Sequence, residues 1–380
     1  MDFDLTEEQQ IARDTARAFA EKELKPVASR LDREGIYPND EIKKLAAIGL
    51  MGVFVPDEFG GAGMDRTSYV LALEEISRVW ASAGVIMSVN NSLVCGPILR
   101  FGTDGQKKRY LPRLSGGEWL GCYALTEASA GSDAGSIQTQ ARRSDSHYIL
   151  NGSKMFITSG SRANLALVYA VTDPGAGKNG ISAFLVECDT PGFVVDKIED
   201  KLGLRSSETA ALRFEDCRIP VENILGREGE GFRIALQTLD GGRVGIAAQA
   251  LGIAQACLDE ALSYSSERKQ FGAPISSFEA IQAMLADMAT EIDAARALTY
   301  RAAWLQQEGK SATREAAMAK LFASEASNRA AYKALQIFGG YGYMKDFVVE
   351  RLFRDARVTT LYEGTSEIQR LIIARQLLRE

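Results

Sequence analysis

The 380-residue sequence predicts a globular protein of the α+β class with a three-part α-β-α order. Three observations predict this order. A helical period covers roughly the first hundred residues, short alternating runs between turn residues cover the next hundred, and a helical period then returns and persists to the C-terminus. Hydrophobic residues make up 46% of the chain and charged residues 25%, as in ordinary globular proteins. We place the domains at residues 1–118, 119–225 and 226–380.

The N-terminal segment reads as amphipathic helices separated by loops. Thr6 and the glutamine three residues later fit a capping box, and small apolar residues then recur at helical spacing. Breaks are predicted at residues 35–38, at the glycine-rich stretch 56–63 and at Gly96-Pro97. This segment is therefore expected to be an N-terminal helical domain.

The middle segment is rich in β-branched and aromatic residues in short alternating runs, which predicts a small antiparallel β domain, a barrel or sandwich. The runs are separated by turn residues, among them Asn151-Gly152, Asn179-Gly180 and Thr190-Pro191-Gly192. His147, the single histidine of the chain, falls at the start of one run and is expected to be structural.

The C-terminal segment is predicted to be a bundle of long helices. No proline occurs after Pro274, so no proline interrupts the helical period in this segment. One apolar stripe at helical spacing contains Ile281, Met284, Leu285, Met288, Ile292, Ala295 and Leu298.

The residue counts exclude several kinds of chemistry. One histidine and five cysteines without a C-x-x-C pair make a zinc site, a Ser-His-Asp triad and a Cys-His pair improbable, so no metal is expected. The remaining options are carboxylates, hydroxyls, backbone amides or a cofactor. Since 44 basic and 50 acidic residues are interspersed, neither nucleic acid nor an anionic membrane is expected as a partner.

The expected location is the cytoplasm. The sequence begins with acidic residues and has no apolar signal region, and its scattered cysteines fit a reducing compartment. The longest apolar stretches, such as residues 244–258, are too short to span a bilayer, so no membrane-spanning segment is expected.

Two segments of the β domain could contact a ligand. In residues 123–133 a short apolar strand opens into a loop of small and hydroxyl residues, where backbone amides can approach a planar or anionic group. Residues 154–160 place Phe156 and Thr158 on the same face of a strand. The alternative for residues 123–133 is an ordinary turn, and the alternative for residues 154–160 is a strand whose side chains only pack in the core.

Two more segments lie in the C-terminal part. Arg268 and Phe271 fall at a turn between long helices, where they could hold a phosphate and stack on a ring; a solvated arginine beside a buried phenylalanine is the alternative. Residues 336–342 end a helix with three glycines, more than a C-cap needs, which indicates close backbone approach to a ligand.

The fifth segment surrounds Glu363. Thr365 or Ser366 is predicted to cap the last helix, which places Glu363 on a non-helical turn just before it. The carboxylate either stabilises the N-terminus of that helix or acts as a general base facing a pocket.

These five segments in this order, together with the loop Pro56-Asp-Glu-Phe-Gly-Gly, resemble the acyl-CoA dehydrogenase family of flavoproteins from Leu5 to the C-terminus. The resemblance implies that family's fold, with a four-helix bundle as the C-terminal domain. Residues 87–93 and the neighbourhood of Tyr362 resemble the short-chain, butyryl-CoA dehydrogenase-like branch, while short branched or alicyclic acyl-CoA thioesters remain alternative substrates.

The resemblance implies FAD bound between the β domain and the bundle. Arg268 and residues 336–340 would serve the FAD of a neighbouring subunit, which implies a homotetramer. Glu279 stands where relatives place a glutamine, and this leaves its adenosine contact open. The implied FAD-binding residues are Tyr123, Leu125, Thr126, Ser132, Phe156, Ile157, Thr158, Arg268, Gln270, Phe271, Gln336, Ile337, Phe338, Gly339, Gly340, Thr365, Ser366 and Glu367.

The resemblance also assigns the reaction. Glu363 matches the catalytic base that removes the Cα proton while hydride leaves Cβ for the flavin, giving a trans-2-enoyl-CoA. Some relatives carry the base at the position of Gly242, which cannot serve here. The implied substrate-binding residues are Ser132, Asp240, Arg243, Tyr362 and Gly364. Electrons would pass to an electron-transfer flavoprotein.

Two alternatives remain open. The first is a flavin oxidase or monooxygenase of the same superfamily. The second is a non-catalytic acyl-CoA-binding homologue.

Overall fold

A computed structural model describes residues 4–378 and has the predicted α-β-α order. The N-terminal helices end at Ser115, and the first strand begins at Gly121. The capping box at Thr6 is confirmed: Gln9 N–H donates to Thr6 Oγ1 over 3.3 Å, and Thr6 N–H donates to Gln9 Oε1 over 3.1 Å. The helices of this part are α1 (Glu7–Phe19), α2 (Lys25–Glu34), α3 (Asn39–Ala47), α4 (Arg66–Val79), α5 (Ala81–Ser88), α6 (Gly96–Phe101) and α7 (Asp104–Ser115).

The predicted break at Gly96-Pro97 is wrong. A π-helical segment, Val89–Cys95, joins α5 directly to α6, and Pro97 occupies the first turn of α6, where its missing N–H is tolerated. By length and composition the continuous stretch Ala81–Phe101 could cross a membrane, but 89% of its most apolar window is buried inside the fold. This stretch is therefore buried in the same way as a core helix of a globular protein.

The middle part is an eight-stranded sheet in the order β6-β7-β3-β2-β4-β5-β8, with β1 beside β4. Most neighbours are antiparallel, as predicted, whereas β4 pairs in parallel with β1 and, at one position, with β2. The strands are β1 (Gly121–Ala124), β2 (Gln140–Ser144), β3 (His147–Thr158), β4 (Leu165–Val171), β5 (Ile181–Glu187), β6 (Phe193–Ile198), β7 (Thr209–Pro220) and β8 (Ile224–Leu225).

The predicted turn at Asn151-Gly152 is wrong. Strand β3 runs through it, and its pairing with β7 becomes irregular there. Gly152 has a φ of +146° and lies against the backbone of Thr139, so glycine serves a bulge and not a hairpin. A second bulge near the end of β3 contains Phe156 at a φ of +60°.

The C-terminal part is built on three long helices, α8 (Gly231–Glu267), α9 (Glu279–Gln307) and α10 (Thr313–Phe338). Two shorter helices, α11 (Val348–Val358) and α12 (Ser366–Leu377), pack against α10. A small hairpin, β9 (Lys269–Gln270) and β10 (Ala273–Pro274), connects α8 to α9.

The largest core joins the two helical parts of the chain. Helix α4 packs along α8, and Gly252 allows the approach because a Cβ there would meet the backbone of α4 at Glu74 and Arg78. The sheet has a core of its own, while the start of α8 contributes Ile234 and Ala235 to the core shared with β4 and β5. The three parts therefore meet along α8.

Candidate active site

Glu363 lies on a sharp turn immediately before α12. Glu363 and Gly364 have φ angles of +52° and +93°, two consecutive left-handed residues. Of the two predicted caps, Thr365 is the N-cap, since its Oγ1 accepts from the N–H of Ile368 over 3.4 Å. Ser366 begins the helix and is buried, and Glu367 points to solvent. The turn directs the Glu363 side chain away from the helix axis and towards α8.

Two buried side chains hold this turn by its carbonyl groups. Lys320 Nζ, from α10, donates to Gly364 O over 2.7 Å. Gln369 Nε2 donates to the same oxygen over 2.8 Å and to Glu363 O over 3.2 Å. Both side chains are completely excluded from solvent. Sequence reasoning missed both anchors; the one available signal was a lysine among alanines on an apolar helical face.

The Glu363 carboxylate is available for proton transfer. Its Oε2 is buried and has no hydrogen-bond partner. Burial raises its pKa from 4.5 to about 7, although the nearby Lys320 and Arg243 charges oppose the shift. A carboxylate with a pKa near neutrality can accept a proton from a weak acid.

Gly242 of α8 faces this carboxylate directly. A Cβ at Gly242 would overlap Glu363 Oε2 and would lie 2.7 Å from Leu93 Cδ2. Positions 242 and 363 therefore direct their side chains into the same space. A base at either position would reach one reaction centre, and this chain keeps room for the one at 363.

Asp240 and Arg243, predicted to bind substrate, lie one turn apart on α8 and pair with each other. Arg243 Nη1 donates to Asp240 Oδ1 over 2.5 Å, while Asp240 Oδ2 accepts from Thr313 Oγ1 over 2.7 Å. Arg243 Nε is buried without a partner. This places a hydrogen-bond donor beside Glu363 that a ligand can use.

Three tyrosines enclose the carboxylate from different elements. Tyr69 comes from α4, Tyr123 from β1 and Tyr362 from the Glu363 turn. Burial raises the pKa of each phenol, and the Glu363 charge raises it further. The Tyr123 hydroxyl is buried without a hydrogen-bond partner. The sheet and both helical parts thus converge on Glu363.

The two predicted ligand segments of the sheet lie side by side. Met155 N–H donates to Thr126 O over 2.8 Å, and Lys154 Nζ donates to Leu125 O over 3.0 Å and to Glu127 Oε1 over 2.7 Å. Lys154 is buried, which lowers its pKa to about 8, while Glu127 opposes the shift. This buried ion pair joins the start of the 123–133 loop to β3.

The predicted residues of these segments differ in accessibility. The Phe156 ring is 62% exposed at its bulge, Thr158 is half-buried and Ser132 is exposed. Leu125 and Ile157 are buried. Ile157 belongs to the core of the sheet, so its side chain cannot face a ligand, and only its backbone is available there. The assignment of Ile157 to the FAD site stays a prediction and would rest on its backbone.

The other two predicted segments meet in a second place. An open cleft of about 450 Å³ lies between the end of α8 and the end of α10. The Arg268 guanidinium lies 5.5 Å from the Tyr341 ring centroid, and space around Gly339 and Gly340 is open. The cleft is lined by Tyr264, Arg268, Gln270, Ile275, Ile337, Phe338, Gly339, Gly340, Tyr341 and Met344.

Phe271 and Gln336 lie beside this cleft but do not line it. The Phe271 ring is 96% exposed and makes one edge contact, to Phe278, while Gln336 and Glu279 are also exposed. The buried phenylalanine that sequence reasoning offered as an alternative at this turn is therefore wrong. The cleft shares no lining residue with the Glu363 site.

Three family models match the chain in succession. They are the acyl-CoA dehydrogenase N-terminal domain over residues 6–118, the middle domain over residues 122–217 and the C-terminal domain over residues 229–378. The mitochondrial short-chain specific acyl-CoA dehydrogenase of Mus musculus is 54% identical over 376 residues, covering 99% of this chain and 91% of that protein.

Solved structures agree with the family models. Butyryl-CoA dehydrogenase from Megasphaera elsdenii is 47% identical with a TM-score of 0.98, and each chain is covered completely. A chain in a structure described as the electron transferring flavoprotein of Acidaminococcus fermentans is 51% identical with a TM-score of 0.99, again over both whole chains. A structure described as the FAD complex of PigA is 31% identical with a TM-score of 0.96 over both whole chains. This chain belongs to the acyl-CoA dehydrogenase family.

Proposed function

We propose that this protein oxidises a short-chain acyl-CoA to the trans-2-enoyl-CoA, with Glu363 removing the Cα proton. The observation that carries the proposal is the buried Glu363 Oε2, which lacks a hydrogen-bond partner and belongs to a carboxyl with a pKa near 7. A structural carboxylate at a helix N-terminus would use its oxygens in capping, whereas here Thr365 supplies the cap.

The substrate class rests on relatives and on the space around Glu363. The mouse relative is named short-chain specific, and the Megasphaera elsdenii structure is of a butyryl-CoA dehydrogenase. Asp240 and Arg243 offer polar groups for the CoA arm, and Arg243 Nε has no partner within the protein. Gly242 and Leu93 lie against each other and the Glu363 carboxylate, so they bound the space beside the proposed base closely, which favours a small acyl group.

The residues fit FAD as the cofactor. The exposed Phe156 ring and the unpartnered Tyr123 hydroxyl offer a surface and a donor to a planar ring, and Thr126 and Thr158 offer hydroxyls beside them. In the cleft, the Arg268 cation and the open backbone at 339–340 fit a phosphate-bearing group. When bound, FAD supplies the two-electron oxidant that receives hydride from Cβ.

The protein's own part is proton removal and charge stabilisation. A thioester Cα–H is weakly acidic, so the carbonyl oxygen must be stabilised as negative charge develops, and the Glu363 N–H is the proposed donor. A bound acyl chain excludes water from the turn and raises the pKa of Glu363 further, which brings it closer to that of the Cα proton. Lys320 and Arg243 favour the ionised carboxylate that begins the reaction.

The assembly is proposed to be a homotetramer in which the cleft of one subunit completes the FAD site of another. Within one chain the cleft and the Glu363 site share no lining residue. Aromatic side chains beside the cleft are highly exposed, with Phe271 at 96% and Tyr343 at 80%, as expected of a surface that another copy covers. The proposed electron acceptor is an electron-transfer flavoprotein, and the proposed location is the cytoplasm.

The test is anaerobic reduction of the bound flavin by butyryl-CoA. The loss of the flavin's visible absorbance measures the rate of reduction. Glu363→Gln is expected to retain FAD and bind the thioester but to reduce flavin at least about a thousand-fold more slowly, since the base is lost. Glu291→Gln is the control, because Glu291 of α9 forms a partly exposed ion pair with Arg329 of α10. A Glu363→Gln enzyme that bleaches at the normal rate would refute the assignment.

A further inference from the structure

Lys320 is a buried cation on an apolar helix face. Its neighbours on α10, Ala316, Ala319 and Ala323, belong to the largest core, and Lys320 itself is completely excluded from solvent. A buried ammonium is costly unless it is paired. Among residues 4–378 it forms no ion pair with a carboxylate, and its Nζ donates to the carbonyl of Gly364. The buried charge of Lys320 is therefore directed at a single backbone turn.

That turn is strained and needs support. Left-handed backbone is unfavourable for a residue with a Cβ, and Glu363 adopts it next to Gly364. In the part of the chain that the structure describes, Lys320 and Gln369 are the two side chains that donate to the carbonyl of Gly364 in this turn. They differ in one respect: Gln369 is neutral, and Lys320 adds a positive charge close to the Glu363 carboxylate.

We infer that Lys320 is a positioning residue for the proposed base: its hydrogen bond fixes the turn that aims Glu363, and its charge favours the ionised carboxylate. The inference rests on the proposed role of Glu363. Nothing in the sequence pattern assigns Lys320 to the reaction, because it lies 43 positions before the turn that it supports.

The electrostatic part follows from the groups around both side chains. Lys320 is the larger of the two cationic influences that oppose the raised pKa of Glu363, and Arg243 is the other. Arg243 is already paired with Asp240, so it cannot compensate fully for a lost lysine. Glu363 is faced by Lys320, Arg243, Tyr69, Tyr123 and Tyr362, and Lys320 is faced by Glu363, Arg243, Glu367 and Glu325.

The experiment is the pH dependence of kcat/KM for flavin reduction by butyryl-CoA in the FAD-loaded enzyme. Its acid limb reports the ionisation of Glu363 in the free enzyme. Lys320→Met is expected to raise the midpoint of this limb by about one pH unit, since a close opposite charge is removed. For a midpoint moving from about 7 to about 8, the ionised fraction at pH 7 falls about five-fold.

Three variants separate the causes. Lys320→Arg restores the charge and is expected to return the midpoint. Gln369→Met removes a neutral donor to the same carbonyl, and is expected to lower kcat without moving the midpoint. Lys333→Met is the matched control on α10, since Lys333 forms a surface ion pair with Asp287 over 2.9 Å and is expected to change neither quantity.

The outcomes distinguish this inference from the proposed function. An unchanged midpoint in FAD-loaded Lys320→Met, with Glu363→Gln inactive, refutes the role of Lys320 and leaves the base in place. An active Glu363→Gln enzyme refutes the proposed function itself. If Lys320→Met fails to accumulate as a folded, flavin-bound enzyme, Lys320→Gln replaces it, because glutamine lacks the charge but keeps a hydrogen-bond donor. The same shift of the acid-limb midpoint is expected, and an unchanged midpoint refutes the role of Lys320.

Discussion

A single methyl group at Gly242 should separate catalysis from stability. A Cβ at this position would overlap Glu363 Oε2 and press on Leu93, so Gly242→Ala forces the carboxylate to move. Misplacing a reacting group by about 1 Å costs about a hundred-fold in rate. We therefore expect flavin reduction by butyryl-CoA to slow about a hundred-fold in Gly242→Ala.

The same substitution should change the free energy of unfolding only slightly. Alanine in place of glycine inside a helix gains about 1 kcal/mol, whereas crowding a packed site costs about 1–3 kcal/mol. The net loss is then at most about 2 kcal/mol, too little to unfold a domain of ordinary stability. Thermal unfolding of the FAD-loaded enzyme measures this change beside the rate.

Gly241→Ala is the matched control. A Cβ at Gly241 meets nothing closer than Ser92 O at 3.9 Å, so the variant gains helix propensity without touching Glu363. A Gly242→Ala enzyme that reduces flavin as fast as Gly241→Ala would show that the Glu363 carboxylate does not react from the position described here.

Two further predictions follow from the same sites. Because burial raises the pKa of Glu363 to about 7, ionising it in the folded state costs stability as pH rises above 4.5. At pH 8, Glu363→Gln should therefore have a free energy of unfolding about 1–3 kcal/mol larger than the wild type, seen as a higher unfolding temperature. Equal unfolding curves at pH 8 would contradict the pKa. Arg268→Ala should weaken FAD retention about ten-fold or more, measured as flavin per chain after dialysis. Arg233→Ala is the control, because Arg233 forms a surface ion pair with Glu230. Full flavin content in Arg268→Ala would show that Arg268 does not bind FAD.

The sequence predicted the features that depend on local pattern. The helical and β-type segments, the capping box at Thr6 and the placement of Glu363 on a turn before the last helix are all confirmed. Two local predictions failed for a shared reason: at Gly152 and at Gly96-Pro97 the neighbouring strand or helix overrides the usual turn signal.

The remaining parts of the site depend on contacts between distant residues. Lys320 and Gln369 reach one carbonyl from two different helices, and no spacing in the sequence relates them to Glu363. Likewise, the overlap of positions 242 and 363 arises because α8 passes under the turn, 121 positions earlier in the chain.

The exposed aromatic rings bear on how the protein is made in the cell. A newly folded chain presents Phe271, Tyr343, Tyr332 and Phe156 with 96%, 80%, 63% and 62% of their surface in water. Such rings favour adhesion to other unfinished chains, and in the proposed assembly a flavin or a second subunit would cover those beside the cleft and the β3 bulge. On that proposal, we expect riboflavin-limited cultures to deposit more of this chain in inclusion bodies than riboflavin-supplied ones.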